Sequence, residues 1–210
     1  GRYHNWPHAY HGQLINTVSS GNPKALLFDI IFDEENTFKY DLVQALSSGA
    51  SSKNQDLEYV TDQFLNSNDP SRFVVETQNS SKTYHAIVFE EEDTLNFLPK
   101  MDSEPEGYSY QNHIISGVSN EAKNRLPQAD RIGNTYVDLL SASVGNGSAN
   151  FPQDNDGVIR RAPTAIYFDG PDHVYPTLVM SAVIDILGIK KDGGFDYDFE
   201  NNVLNLIDTT

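Results

Sequence analysis

The spacing of apolar residues changes period several times along the chain. Tyr10, Leu14, Ile15 and Val18 recur at helical spacing, which predicts a helix over residues 8–19 with these four on its buried face. Gly21 and Pro23 end it. Residues 25–32, Ala-Leu-Leu-Phe-Asp-Ile-Ile-Phe, form a nearly continuous apolar run, as expected of a strand covered on both faces. A second helix is predicted from about Tyr40, with Leu42, Val43 and Leu46 apolar and Gly49 near its end. A third is predicted near residues 56–65, with Leu57, Val60 and Phe64 on one side and Pro70 closing it. Arg72-Phe73-Val74-Val75-Glu76 and residues 84–89 then read as strands joined by the turn-rich Gln78-Asn79-Ser80-Ser81.

Residues 90–131 show no clear period, and Pro99, Pro105 and Gly107 point to loop with short helices. This reads as an insertion, where specificity resides in many folds. Order returns near residues 135–140. A strand is expected over Thr164-Ala165-Ile166-Tyr167-Phe168, with Pro163 marking an edge or a kink. A helix follows over about residues 176–187, with Pro176 in its first turn. Leu178, Val179, Ala182, Val183 and Ile186 make its expected buried face, and Gly188 its stop. In the tail, Phe195, Tyr197 and Phe199 alternate with acids, Asn201-Asn202 turns, and Val203-Leu204-Asn205-Leu206 returns as a hairpin. The expected architecture is therefore α/β. It is a single domain over residues 1–210, with a mixed central β-sheet flanked by helices and a loop-rich insertion at 90–131.

Only 38% of residues are hydrophobic, but the 11 Phe and 11 Tyr supply the area a core needs. The chain has 14 basic against 30 acidic residues, a formal net charge of −16. Phosphate backbones and anionic membrane surfaces repel such a chain, so nucleic acid is excluded as a partner. Cationic ligands and divalent metals remain open. The absence of cysteine rules out disulfides, thiolate catalysis and thiolate metal sites. No apolar run reaches 18 residues and no signal peptide is visible, so the sequence reads as an excised soluble fragment opening on a residual tag glycine.

No serine lies in a Gly-x-Ser-x-Gly elbow, and Gly145-Asn146-Gly147 reads as a short turn lacking the lysine of a phosphate loop. No catalytic residue, metal or cofactor is assigned. The most distinctive stretch is residues 150–163, Asn-Phe-Pro-Gln-Asp-Asn-Asp-Gly-Val-Ile-Arg-Arg-Ala-Pro. Asp154 and Asp156 invite a calcium reading, but with Gly157 at the sixth position of an EF-hand loop, prolines 152 and 163 stand where acids are needed. An Asx-rich turn with Gly157 at positive φ is the better reading, and a different metal site the alternative. Arg160 and Arg161 are adjacent in a strand and so point to opposite faces. One is expected to pair with Asp29, which interrupts an apolar strand and needs a partner there. The sharper alternative is an arginine that binds an anionic signal. His4, His8 and His11 suggest a metal-binding face, but Pro7 breaks the register and no acid completes the set, so exposed or core-edge histidines are expected. His85, His113 and His173 are scattered. Trp6 is expected to pack on the first helix, the alternative being an anchor at a membrane interface.

Three ordered segments resemble one family. The first is Trp6-Pro7, Tyr10-His11 and Leu14-Ile15 leading into residues 25–32. The second is Asp41-Leu42-x-x-Ala45-Leu46. The third is residues 150–163, with its Asp-x-Asp-Gly-Val-x-Arg-Arg pattern. Together they resemble the CHASE domain of type two, the cyclase- and histidine-kinase-associated sensory extracellular domain. The resemblance implies an extracytoplasmic, non-catalytic sensor of a bacterial transmembrane receptor. Such a receptor carries a nucleotide cyclase, diguanylate cyclase or histidine kinase as its cytoplasmic output. The implied partners are an unknown small molecule, ion or protein signal, with homodimerisation also open and membrane contact only through flanking helices. The competing readings are a secreted hydrolase acting on a cationic or polysaccharide substrate, and a structural dimerisation module of the cell envelope.

Overall fold

The computed structural model describes residues 6–32, 38–49, 55–90, 102–104, 108, 113–150, 156–158, 163–189, 195–198 and 203–206. In chain order the elements are α1 (His8–Ser19), β1 (Leu26–Phe28), α2 (Phe38–Gly49), α3 (Gln55–Asn68), α4 (Ser71–Ser80) and β2 (Thr83–Glu90). After these come α5 (Asn120–Lys123), β3 (Gln128–Ala129), β4 (Arg131–Asn134), α6 (Val137–Ala142) and β5 (Gly145–Ser148). Last are β6 (Ala165–Phe168), β7 (His173–Pro176), α7 (Leu178–Leu187), β8 (Phe195–Asp198) and β9 (Val203–Leu206). The fold is the expected α/β arrangement with mixed sheets.

Strand β2 is the axis of the larger sheet. Thr-Tyr-His-Ala-Ile-Val-Phe-Glu is mostly β-branched or aromatic, and six of its eight residues are buried. It pairs with β1 and β5 in parallel and with β4 antiparallel. The hydrogen bonds sort these neighbours by edge. The carbonyls of Lys82, Ala86 and Glu90 accept from Leu26 N, Thr135 Oγ1 and Asp130 N, on the side of β1 and β4. Those of Thr83 and Ile87 accept from Val144 N and Ala149 N, on the side of β5. Where β5 ends, the Asn150 side chain continues the edge. Its amide donates to Phe89 O and its Oδ1 accepts from Phe89 N at 2.7 Å.

Side chains alternate across this sheet. Tyr84 and Ala86 face α7 and pack with Leu178 and Ala182. On the opposite face Phe28 and Phe32 pack with Ile15 of α1, Phe73 of α4 and Leu139 of α6. Farther along β2, Ile87 and Phe89 pack on a second sheet, β3–β6–β7, through Ile166, Phe168 and Tyr175. The tail forms the expected antiparallel hairpin of β8 and β9.

Several expectations fail. Residues 72–76 are helical, within α4. Phe73 and Thr77 lie one turn apart and are both buried, and Asp69 Oδ1 accepts from the Ser71 amide and hydroxyl to open the helix. Pro70 therefore starts α4 rather than only closing α3. Gly145-Asn146-Gly147 belongs to a buried strand, not a turn. Pro176 is the last residue of β7, paired with Ala165, and Thr177 takes the N-cap position of α7. Gly188 does end α7, at φ +68°. The inner face of α7 is Leu178, Ser181, Ala182 and Ile184, whereas Val179 and Ile186 point outward.

Candidate functional site

Of the six residues singled out from the sequence, the structure describes three. Asp29 lies just past the end of β1 and is exposed. Its carboxylate sits in water, so the burial argument for an arginine partner lapses. Asp154, Arg160 and Arg161 lie outside the described residues. Asp156 and Gly157 form a surface turn in which Gly157 has φ +78° and Asp156 Oδ1 accepts the Val158 amide at 3.2 Å. Among the described residues no group of three His, Asp or Glu is placed to hold a metal ion.

The histidines occupy a different place from the one expected. The spacing of His8, His11 and Ile15 on α1 puts all three on the inner face, and all three are buried. Tyr10, Leu14 and Val18, the expected core face, point outward. Gly12 permits this rotation, because a Cβ there would lie 2.8 Å from the Arg72 carbonyl oxygen of α4. Trp6 lies 6.1 Å from His11, ring to ring, and is half-exposed. His85 of β2 completes the group. It stacks on Phe28 at 5.0 Å and meets Phe73 at 5.5 Å. His11 packs against Phe32 at 5.0 Å, and His8 stacks on Tyr136 at 5.7 Å.

His85 is 0% exposed, and neither ring nitrogen has a hydrogen-bond partner among the described residues. Burial, with His11 nearby as a lesser cause, pushes its pKa down to about 3. Burial also lowers that of His11. Both rings are therefore neutral at neutral pH, an imidazole core inside a cage of Phe28, Phe32, Phe73 and Tyr136.

A second polar group forms where the stretch before α5 meets β5 and β7. His173 and Tyr175 are two apart in β7 and so share a face. Glu104 Oε1 is bonded to both, to His173 Nδ1 at 2.8 Å and to the Tyr175 hydroxyl. The Tyr108 hydroxyl accepts from Asn146 Nδ2 of β5 at 2.5 Å and donates to Leu140 O at 3.4 Å. Burial above all pushes Tyr108 up to about 12; the Asn146 hydrogen bond opposes this and the charge of Glu104 adds to it. The Tyr108 ring is parallel to His113 at 6.3 Å. Asn146 is buried, and its Oδ1 has no partner among the described residues. One carboxylate, two phenols, two imidazoles and a carboxamide thus gather at one seam, a mixed donor and acceptor set. Sequence reasoning missed it: His173 counted as scattered, and its alternation with Tyr175 in β7 is the one pattern that could have pointed to the seam. Glu104 and Tyr108 come from the stretch with no period.

No curated protein and no solved structure matches this chain. The CHASE2 domain family matches residues 1–206. Its members are sensory, extracellular domains of receptors rather than catalysts. No helix among the described residues is long and apolar enough to cross a membrane. With the match covering nearly all of its length, the chain belongs to the CHASE2 family.

Proposed function

We propose that this domain is the extracytoplasmic sensor of a bacterial transmembrane receptor, and that it regulates a nucleotide cyclase, diguanylate cyclase or histidine kinase inside the cell. The observation that carries the reading is the polar seam of Glu104, Tyr108, Asn146, His173 and Tyr175. It joins the least regular part of the chain to two strands, one in each of the larger sheets. A ligand that bonds Asn146 Oδ1 or competes for Glu104 changes how Glu104 and Tyr108 are held against β7 and β5. That differential contact is what a signal needs to shift a conformational equilibrium.

The test is a thermal-shift screen of the 210-residue chain with small amines, amino acids, sugars and divalent cations. A ligand at a hundred times its Kd stabilises by about 2.7 kcal/mol, which raises Tm by roughly 5 °C or more for a chain of this size. Tyr108→Phe and Asn146→Ala are expected to abolish that rise while leaving the unliganded protein folded. A stabilising ligand whose effect survives both substitutions places the site elsewhere. Turnover of a polysaccharide or cationic substrate by the chain would replace the sensor reading with that of a hydrolase.

A further inference from the structure

The outer face of α1 carries an apolar stripe. Trp6, Tyr10, Leu14 and Val18 recur every four residues and are 48%, 46%, 46% and 37% exposed. They lie opposite the inner face of His8, His11 and Ile15. Residues 3–23 contain no Asp, Glu, Lys or Arg, the longest such run in the sequence. The acid bonded to α1, Glu76 of α4, donates nothing to the stripe: it accepts from Asn16 Nδ2 at 3.2 Å and lies 3.8 Å from the Arg72 guanidinium.

From this we infer that α1 is the contact surface between two copies of this chain. Each copy carries a formal charge of −16, so most pairs of faces repel. The α1 stripe presents apolar area on a helix that carries no acid of its own, the acids of its neighbour α3, Glu58 and Asp62, lying on a separate element. The two other clusters of several exposed apolar side chains do not meet that condition. Leu42, Leu46, Tyr59 and Val60 sit among Asp41, Glu58 and Asp62, and Val179, Ile186 and Leu187 share α7 with Asp185. A ridge of residues four apart is also self-complementary, because it packs into the matching groove of an identical helix about a two-fold axis. One helix face buries less than the roughly 800 Å² per partner of a standard interface. The isolated chain therefore dimerises weakly and reversibly. The inference stands on exposure and charge, independently of any ligand at the seam.

Sedimentation equilibrium of the 210-residue chain from micromolar to millimolar concentration, at low and high salt, tests it. The expected result is a monomer–dimer equilibrium that tightens several-fold as salt screens the like charges. Leu14→Glu is expected to weaken it at least about tenfold, roughly the effect of 1.4 kcal/mol, and Val179→Glu to leave it unchanged. Because the chain has no cysteine, Leu14→Cys should form a disulfide-linked dimer under mild oxidation and Val179→Cys should not. This second readout does not depend on a charged variant folding. A monomer at every concentration overturns the inference. So does a dimer lost in Val179→Glu but kept in Leu14→Glu. A complex that weakens with salt overturns it too, since that is the behaviour of a basic partner on an acidic face. The thermal-shift screen reads the ligand alone, so failure of either idea leaves the other standing.

Discussion

As pH falls from 6.5 toward 3, wild-type protein loses stability steeply, and the His85→Phe variant loses much less. In the unfolded chain His85 takes up a proton below its ordinary pKa of 6.5. In the fold, burial keeps it neutral down to about pH 3. Between those values the unfolded state binds the extra proton, so stability falls as pH falls, by about 1.4 kcal/mol per pH unit. Over the whole window this reaches roughly 4–5 kcal/mol, a large part of the 5–15 kcal/mol typical of a domain. Above pH 6.5 the effect vanishes, because both states are then neutral at this site. Phenylalanine removes the proton uptake and the buried N–H that lacks a partner among the described residues, while keeping the stack on Phe28. Carboxylates titrate alike in both proteins and cancel in the comparison. Urea titrations at successive pH values give the two curves, which should converge at neutral pH and separate as acid is added. Parallel curves would mean that His85 is protonated in the fold or already shielded in the unfolded chain.

Gly147→Ala is expected to destabilise the protein by about 3 kcal/mol, at the upper end of the usual cost of overpacking. The new Cβ would lie 2.5 Å from Leu178 N, 2.6 Å from Leu178 Cα and 2.6 Å from Thr177 C. All three are backbone atoms, and they open α7. Side-chain rotation relieves none of these contacts. Either α7 lifts from the sheet or β5 leaves β2, and the packing of Leu178 and Ala182 on Tyr84 and Ala86 suffers in both cases. A parallel bridge between Ser148 and Thr177 fixes the two segments at this point, which limits their freedom to adjust. A thermal melt of the variant measures the loss. A Tm within a degree of wild type would show that the helix start yields more easily than its contacts imply.

These two positions also show where sequence reasoning stops. The α/β class is legible from helical periods alternating with apolar runs, β2 from one such run, and the tail hairpin from the alternation of Phe195, Tyr197 and Phe199 with acids. Gly145-Asn146-Gly147 was read as a turn because nothing in it is apolar, yet it is a strand whose missing side chains make room for α7. Hydropathy favours Tyr10, Leu14 and Val18 over His8 and His11, so of the expected buried face of α1 only Ile15 lies inward. A neutral imidazole among aromatic rings behaves as a core residue, and hydropathy does not carry that. Val74 and Val75 suggested a strand, but the one-turn spacing of Phe73 and Thr77 fits a helix on the core. Nothing of the polar seam is legible in the sequence reading, where His173 counts as scattered and its alternation with Tyr175 goes unused. Asn146 sits in the misread strand, and Glu104 and Tyr108 in a stretch without period. The acid-rich turn before Val158 carried the family resemblance without disclosing a site, because its described part, Asp156 and Gly157, is a surface turn.

The division of β2 between two edges gives the strand a built-in reporter. Even-numbered residues from Lys82 to Glu90 face β1 and β4, and odd-numbered residues from Thr83 to Phe89 face β5 and Asn150. If β1 comes away, the even-numbered amides at the start of β2 are exposed to deuterium while their odd-numbered neighbours stay protected. If β5 and α7 come away, the order inverts. The alternation of exchange along one strand therefore records which half of the molecule has moved.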